Sequence, residues 1–231
     1  MSLPRGVIVT GGTGALGRAV ARRLLDGGAR VAVPFRRARE GRTTEPFSDA
    51  VVGIEADLSG PEGAAAFVDA AASRLGVLDG LVLAAGGWAG GARFDESPPG
   101  EWDAMLRTNL DTAAHVCRAA LPHLRRQGGR IVAVGSRAAE TGGSGMAAYA
   151  VSKVAVHALV RVLALENAAE GVRVNAVLPG TIDTEANRRA MPGADRSKWT
   201  SPEAVAGVIA FLLSDDSAPT TGALVPVDAP A

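Results

Sequence analysis

Val7-Ile8-Val9-Thr10-Gly11-Gly12-Thr13-Gly14-Ala15-Leu16-Gly17 is the stretch whose reading decides the fold. Its first four residues are apolar or β-branched and read as a buried strand. Gly12, Gly14 and Gly17 then satisfy G-x-G-x-x-G. From Ala15 to Asp26 the apolar residues Leu16, Val20, Leu24 and Leu25 recur at helical spacing, and Gly27-Gly28 stops the pattern. Strand, glycine turn and helix in this order open a βαβ unit. Its helix N-terminus offers unpaired N–H groups and the positive end of the dipole to a pyrophosphate. A lone glycine turn carries little weight. With its strand and helix in place, it favours dinucleotide binding through Gly11, Gly12, Thr13, Gly14, Ala15, Leu16 and Gly17.

Outward from this loop, short β-branched runs alternate with Ala-rich helical segments. Strands are predicted at Val31–Val33, Val51–Glu55, Gly80–Ala84, Arg130–Val134, Val172–Leu178 and Leu224–Val227. Helices are predicted at Ala64–Leu75, Glu101–Arg126, Ala147–Ala169 and Pro202–Leu213, with Pro122 marking a kink or an end of the second. The alternation implies right-handed βαβ units. The fold class is α/β: one doubly wound Rossmann domain over residues 1–231, with a seven-stranded parallel sheet and helices on both faces. The longest irregular stretch, 179–201, follows a strand end and is the expected substrate loop.

Composition narrows the function. The 231 residues are 47% hydrophobic, and 24 Lys+Arg balance 24 Asp+Glu. Such balance gives no electrostatic reason to seek nucleic acid or an anionic membrane. The single Cys117 excludes an intrachain disulfide, argues against a cysteine-based metal site and fits a reducing compartment. The apolar run Val7–Val9 is too short for a signal segment or a span, so the expectation is a soluble cytoplasmic chain. His115, His123 and His157 fall on predicted helices without a ligand-type partner arrangement and are read as structural, with no metal.

The chemistry rests on rare residues. Tyr occurs only at 149, and Lys only at 153 and 198. Tyr149 and Lys153 are one helical turn apart, on one face. Ser136 lies at the end of the fifth strand, within reach of the same site. Hydride reduction of a carbonyl creates an alkoxide that needs a proton. A phenol, with its pKa near 10, can supply it if a neighbouring ammonium lowers that pKa. Ser136 can hold the substrate oxygen. At the end of the second strand, where an acidic residue would hold the ribose of NAD, stand Phe35, Arg36 and Arg37. The arginines can pair with a 2′-phosphate, so NADP(H) is the expected cofactor and NAD(H) the second candidate.

These motifs resemble the short-chain dehydrogenase/reductase family over almost the whole chain. The resemblance rests on the Thr10–Gly17 loop, Ser136 with Tyr149-x-x-x-Lys153, Asn109, and Asn175-Ala176-Val177-Leu178-Pro179-Gly180. It implies that Asn109 completes a tetrad, supporting Lys153 through a water. It also implies that Lys153 bonds the nicotinamide ribose, that Asp57 and Leu58 meet the adenine, and that Ala84, Ala85 and Gly86 line the cofactor site. Pro179, Gly180, Ile182 and Thr184 would lie near the nicotinamide. The glycine turn, the loop Ala85-Gly86-Gly87-Trp88-Ala89-Gly90-Gly91, and Asp183-Thr184 through Trp199-Thr200 further resemble the dihydropteridine reductases. Those enzymes lack the Ser and Asn found here at 136 and 109, and carry an acidic residue for NADH.

Trp88, Met146, Met191 and Trp199 are candidates for an apolar substrate pocket, each also readable as plain packing. The leading function is a short-chain oxidoreductase moving hydride between NADP(H) and a small carbonyl or conjugated C=N substrate. A dihydropteridine reductase is the alternative. A non-catalytic NADP(H)-binding sensor is the alternative of another class, which retention of the Tyr–Lys pair opposes. The partner is a small molecule, not nucleic acid or membrane. In the family the two long helices pair across a two-fold axis, implying a homodimer or homotetramer.

Overall fold

The computed structural model describes residues 2–36 and 48–228. Arg37 lies outside the described residues. Seven strands form one parallel sheet: β1 (Gly6–Thr10), β2 (Arg30–Phe35), β3 (Val51–Glu55), β4 (Gly80–Leu83), β5 (Arg130–Val134), β6 (Arg173–Pro179) and β7 (Leu224–Val227). Their order is β3-β2-β1-β4-β5-β6-β7. The order reverses direction between β1 and β4, and the crevice beyond the C-terminal strand ends there is where α/β sheets bind ligands.

Strands of a sheet covered on both faces must be apolar throughout, and β1 is buried at all five positions. Two cores result. One joins Ile8, Leu81, Ile131 and Val174 to Phe67 and Leu75 of α2 (Pro61–Leu75), to Val116 and Leu124 of α4 (Thr112–Arg125), and to Val156 and Val160 of α6 (Ala147–Glu166). The other joins Val7, Val9, Val132 and Val177 to Val20 and Leu24 of α1 (Ala15–Asp26) and to Ile209 and Leu213 of α8 (Pro202–Leu213). By length and apolar content α6 would also pass as a membrane span. Here its Ser152, Lys153, Val156, His157 and Val160 face is buried in the first core's layer.

The structure corrects four details. Glu101–Arg126 is not one α-helix. It runs as α3 (Glu101–Met105), a π-helical stretch (Leu106–Asp111) and α4. The π segment carries Asn109, whose side chain is engaged by neighbours rather than by helix geometry. Pro122 does not end its helix, which continues to Arg125. Both Pro122 and Arg118, whose carbonyl loses its i+4 donor, face solvent, so water can take the carbonyl. The second long helix ends at Glu166 rather than Ala169, because Asn167 at its end bonds back to the Leu163 carbonyl at 2.8 Å and accepts from Arg125 Nε at 2.8 Å. Finally, 179–201 is not wholly irregular. It holds α7 (Glu185–Ala190), whose N-cap Thr184 accepts from the Asn187 N–H at 3.2 Å, and an isolated bridge pairs Ile182 with Thr200. A short helix, α5 (Arg137–Thr141), follows β5 and is not evident in the sequence pattern.

Candidate active site

The glycine turn is built by contact, not only by conformational freedom. A Cβ on Gly17 would sit 2.1 Å from the Gly11 carbonyl oxygen, and one on Gly12 would sit 2.4 Å from Val33 Cγ1. Gly11 has φ of 67°, the left-handed region that glycine tolerates best. Gly14, by contrast, is exposed, and a Cβ there would meet only the Gly11 carbonyl oxygen, at 3.4 Å. It caps α1 without a side-chain bond, and the first turn carries no acidic residue. The α1 N-terminus is therefore open and electropositive, a fit for a pyrophosphate. Just beyond β3, Leu58 is buried and Asp57 is exposed. Hydrogen bonds from Ser59 hold the Asp57 carboxyl below its ordinary range, with a smaller pull from the Arg36 charge. Arg36 and Asp57 thus share one corner, just beyond β2 and β3.

Across the switch point, β5 and α6 bring Ser136, Tyr149 and Lys153 together. Ser136 is buried, Tyr149 is half-buried, and the Ser136 side chain is close enough to the phenol to act on its ionisation. Burial pushes the Tyr149 phenol above its ordinary pKa, and Ser136 offsets this only in part. The Lys153 Nζ donates to the Val134 carbonyl at 2.9 Å, and burial lowers its own pKa to about 8. A phenol kept protonated at neutral pH is suited to donate a proton.

Asn109 is also buried. Its Oδ1 accepts from the Gly87 N–H at 2.9 Å, and its Nδ2 donates to the Gly87 carbonyl at 3.1 Å and to Ser152 Oγ at 2.9 Å. Ser152 in turn donates to the Tyr149 carbonyl at 2.7 Å. Asn109 thereby ties the strand-β4 loop to the turn of α6 that carries Tyr149. A Cβ on Gly86 would lie 2.7 Å from Asn109 Oδ1 and 3.2 Å from Lys153 Nζ. Gly86 therefore marks where the loop, Asn109 and Lys153 converge. Ala84 and Ala85 precede it, with the Ala85 N–H on Thr10 Oγ1 at 3.1 Å.

The four pocket candidates separate into two pairs. The Trp88 loop is joined to the Met146 loop by Gly91 N–H donating to the Gly145 carbonyl at 2.7 Å, and Trp88 itself is 62% exposed. Met191 and Trp199 lie on the 179–201 excursion. Met191 is exposed at the end of α7, and the Trp199 ring lies 5.8 Å beneath the Arg196 guanidinium. Pro179 is buried at the end of β6, followed by Gly180, Ile182 and Thr184 around the start of α7.

Sequence reasoning missed two side chains. His157, read as structural, accepts the Ser136 N–H on Nε2 at 3.3 Å, and its Nδ1 lies 2.8 Å from Glu140 Oε1. The available signal was spacing: Tyr149, Lys153 and His157 recur every four residues on one helix face. Among the described residues no group of three or more His, Cys, Asp or Glu is placed to hold a metal ion.

The geometry has counterparts in known proteins. A family model described as enoyl-(acyl carrier protein) reductase matches residues 12–229. The chain is 36% identical to a 4-formylbenzenesulfonate dehydrogenase of Comamonas testosteroni, over 96% of this chain and 95% of that protein. It is 32% identical to an L-rhamnose 1-dehydrogenase (NAD(P)(+)) of a Sphingomonas species, over 96% of this chain and 94% of that protein. Among solved structures, the ligand-free aldohexose dehydrogenase of Thermoplasma acidophilum superposes with a TM-score of 0.86 at 29% identity, covering 97% of this chain and 92% of that one.

Proposed function

The chain belongs to the short-chain dehydrogenase/reductase family of NAD(P)-dependent oxidoreductases, and from that premise we propose that it moves hydride between NADP(H) and a small carbonyl compound, with Tyr149 as the proton donor. The observation that carries this reading is Ser136 and Tyr149 beside a buried Lys153, with Ser136 beyond the C-terminal end of β5 and the open N-terminus of α1 beyond the same end of β1.

The nicotinamide, when bound, supplies the hydride. The protein's part is to hold, orient and protonate. Gly11 to Gly17 and the N-terminus of α1 would hold the pyrophosphate, with Arg36 and Arg37 on the 2′-phosphate and Asp57 and Leu58 by the adenine. Ser136 holds the substrate oxygen, and the neutral Tyr149 phenol hands it a proton as the alkoxide forms. Lys153, an ammonium below about pH 8, stabilises the phenolate left behind. Asn109 holds the Gly87 loop and, through Ser152, the Tyr149 turn.

The relatives named above act on an aromatic aldehyde or on sugars, and this supports a small polar carbonyl as substrate. The pterin alternative rests on the Trp88 loop and the 179–201 segment. The exposed stripe Val151, Val154, Val162 and Leu165 along α6 supports a second copy of the chain packing there, in a dimer or tetramer. The test is a panel of aldehydes, ketones, aldoses, a 3-oxoacyl thioester and quinonoid dihydropterin, each assayed with NADPH and NADH. Turnover of a carbonyl with NADPH is expected. A clear NADH preference removes the role of the arginines, and turnover of the dihydropterin alone moves the substrate to the pterin class.

A further inference from the structure

Behind Ser136 sits a pair of side chains that the proton transfer does not use. We propose that His157 and Glu140 are a positioning pair that fixes the backbone at Ser136, and through it the Ser136 hydroxyl against the Tyr149 phenol. The proposal rests on the reading of Ser136 and Tyr149 given above.

The β5 ladder runs out where this pair begins. The Gly135 N–H still donates to the Val177 carbonyl of β6 at 2.8 Å, but Ser136 has turned out of the sheet and caps α5. Its N–H is buried and needs a partner. His157 Nε2 takes it, at 3.3 Å. A ring nitrogen that accepts carries no proton, so in the neutral ring the proton is on Nδ1. Nδ1 lies 2.8 Å from Glu140 Oε1, which can only accept as a carboxylate. The two bonds select one tautomer and leave the ring no freedom to turn.

The surroundings admit no other arrangement. The His157 side chain is 3% exposed. A Cβ at position 135 would lie 2.4 Å from His157 Nε2 and 2.5 Å from Leu178 Cδ2, so glycine there is what lets the ring approach the backbone. Glu140 is four residues after Ser136, on the same short helix. His157 therefore grips α5 at both ends of its first turn. Because His157 is also two turns along α6 from Tyr149, one helix carries the phenol and the clamp that holds its partner hydroxyl. The Ser136–Tyr149 separation is thus set by the protein before substrate arrives, the preorganisation that oxygen-holding groups require. Burial disfavours the charged ring, with Lys153 and Arg161 acting the same way and Glu140 opposing, so the net direction keeps His157 neutral.

Two measurements test the pair. The first needs no turnover: 15N NMR of the imidazoles at pH 7 in the full chain, with His157 assigned by the resonance lost in His157→Gln. The Nδ1–H tautomer is expected. An Nε2–H tautomer or an imidazolium overturns the proposal. The second compares kcat and KM of four variants against wild type and Tyr149→Phe. His157→Leu removes the acceptor, whereas His157→Gln places an amide oxygen near the Nε2 position. We expect kcat about tenfold or more lower in the Leu variant, about threefold or less lower in the Gln variant, and NADPH affinity within about twofold in both. Equal kcat in the two variants, or a loss carried by NADPH affinity, overturns the proposal. Glu140 is partly exposed, so Glu140→Ala remains informative if His157→Leu does not fold: kcat should fall several-fold and recover in Glu140→Gln, and wild-type kcat in Glu140→Ala overturns the pair. A Tyr149→Phe enzyme with full turnover defeats the functional reading instead, and leaves the NMR result to judge the clamp alone.

Discussion

Replacing Lys153 with Met should make the protein more stable and nearly inactive at the same time. Lys153 is 7% exposed, and its ammonium donates to the Val134 carbonyl at 2.9 Å. Burial lowers its pKa from 10.5 to about 8. At about 1.4 kcal/mol for each tenfold change in proton affinity, keeping the group charged inside the fold costs about 3 kcal/mol. At pH 7 the lysine is protonated in both folded and unfolded chains, so that cost is present in full. The Met variant escapes it and loses one hydrogen bond, worth about 1 kcal/mol, for a net gain of about 2 kcal/mol. For a chain of this size the gain corresponds to a Tm higher by roughly 4–8 °C. The sign can be followed with pH. The folded pKa lies below the unfolded one, so between about pH 8 and 10.5 the unfolded chain binds more protons, and wild-type stability rises with pH. The Met variant lacks this term, so its advantage should shrink across that window, cross zero before its top and end as a deficit of about 1 kcal/mol, the lost hydrogen bond. Urea melts of both proteins at pH 7 and pH 10 measure this directly, and the difference between proteins cancels the other titrating groups. A Met variant less stable at pH 7, or an advantage constant with pH, would refute the account of Lys153 as a destabilising group retained for chemistry.

Other perturbations follow from the same geometry. Gly17→Ala places a methyl group 2.1 Å from the Gly11 carbonyl oxygen; it should weaken NADPH binding at least about tenfold and cost about 1–3 kcal/mol, read by fluorescence titration and urea melts. Arg36→Ser should weaken NADPH roughly tenfold and leave NADH within about twofold, because only the 2′-phosphate contact is lost. In the free enzyme, kcat/KM for carbonyl reduction should fall as pH rises through about 8, where Lys153 loses its proton, well before the raised Tyr149 phenol titrates; a profile flat to pH 10 opposes this. Trp88→Ala should raise the substrate KM more than it lowers kcat, whereas an unchanged KM would make the exposed ring a loop anchor only.

How much of this was legible in the sequence depended on the range of the interaction. The strand–turn–helix around Gly12, Gly14 and Gly17 announced itself because glycine, burial and helical period all act locally. The Tyr149–Lys153 pair was equally plain, since helical spacing alone brings them to one face. Asn109 was found, but not the π segment around it, which is fixed by bonds to Gly87 and Ser152 far along the chain. Spacing gives proximity, but not that the Lys153 ammonium turns to the Val134 carbonyl while burial dominates the phenol. His157 escaped because its meaning depends on where the backbone of Ser136 points after leaving β5, and no local pattern encodes that. Trp199 and Trp88 look alike in sequence, yet one ring stacks under Arg196 and the other stands exposed.

The most direct test of the central claim is single-turnover oxidation of NADPH by wild type and Tyr149→Phe with a carbonyl substrate that the panel identifies, alongside NADPH affinity for each. Tyr149→Phe keeps the ring and its packing and removes only the hydroxyl that meets Ser136. The account predicts NADPH affinity within about twofold of wild type and a hydride-transfer rate lower by about 100-fold or more, as expected for loss of a positioned acid. A Tyr149→Phe enzyme that transfers hydride at the wild-type rate would contradict it.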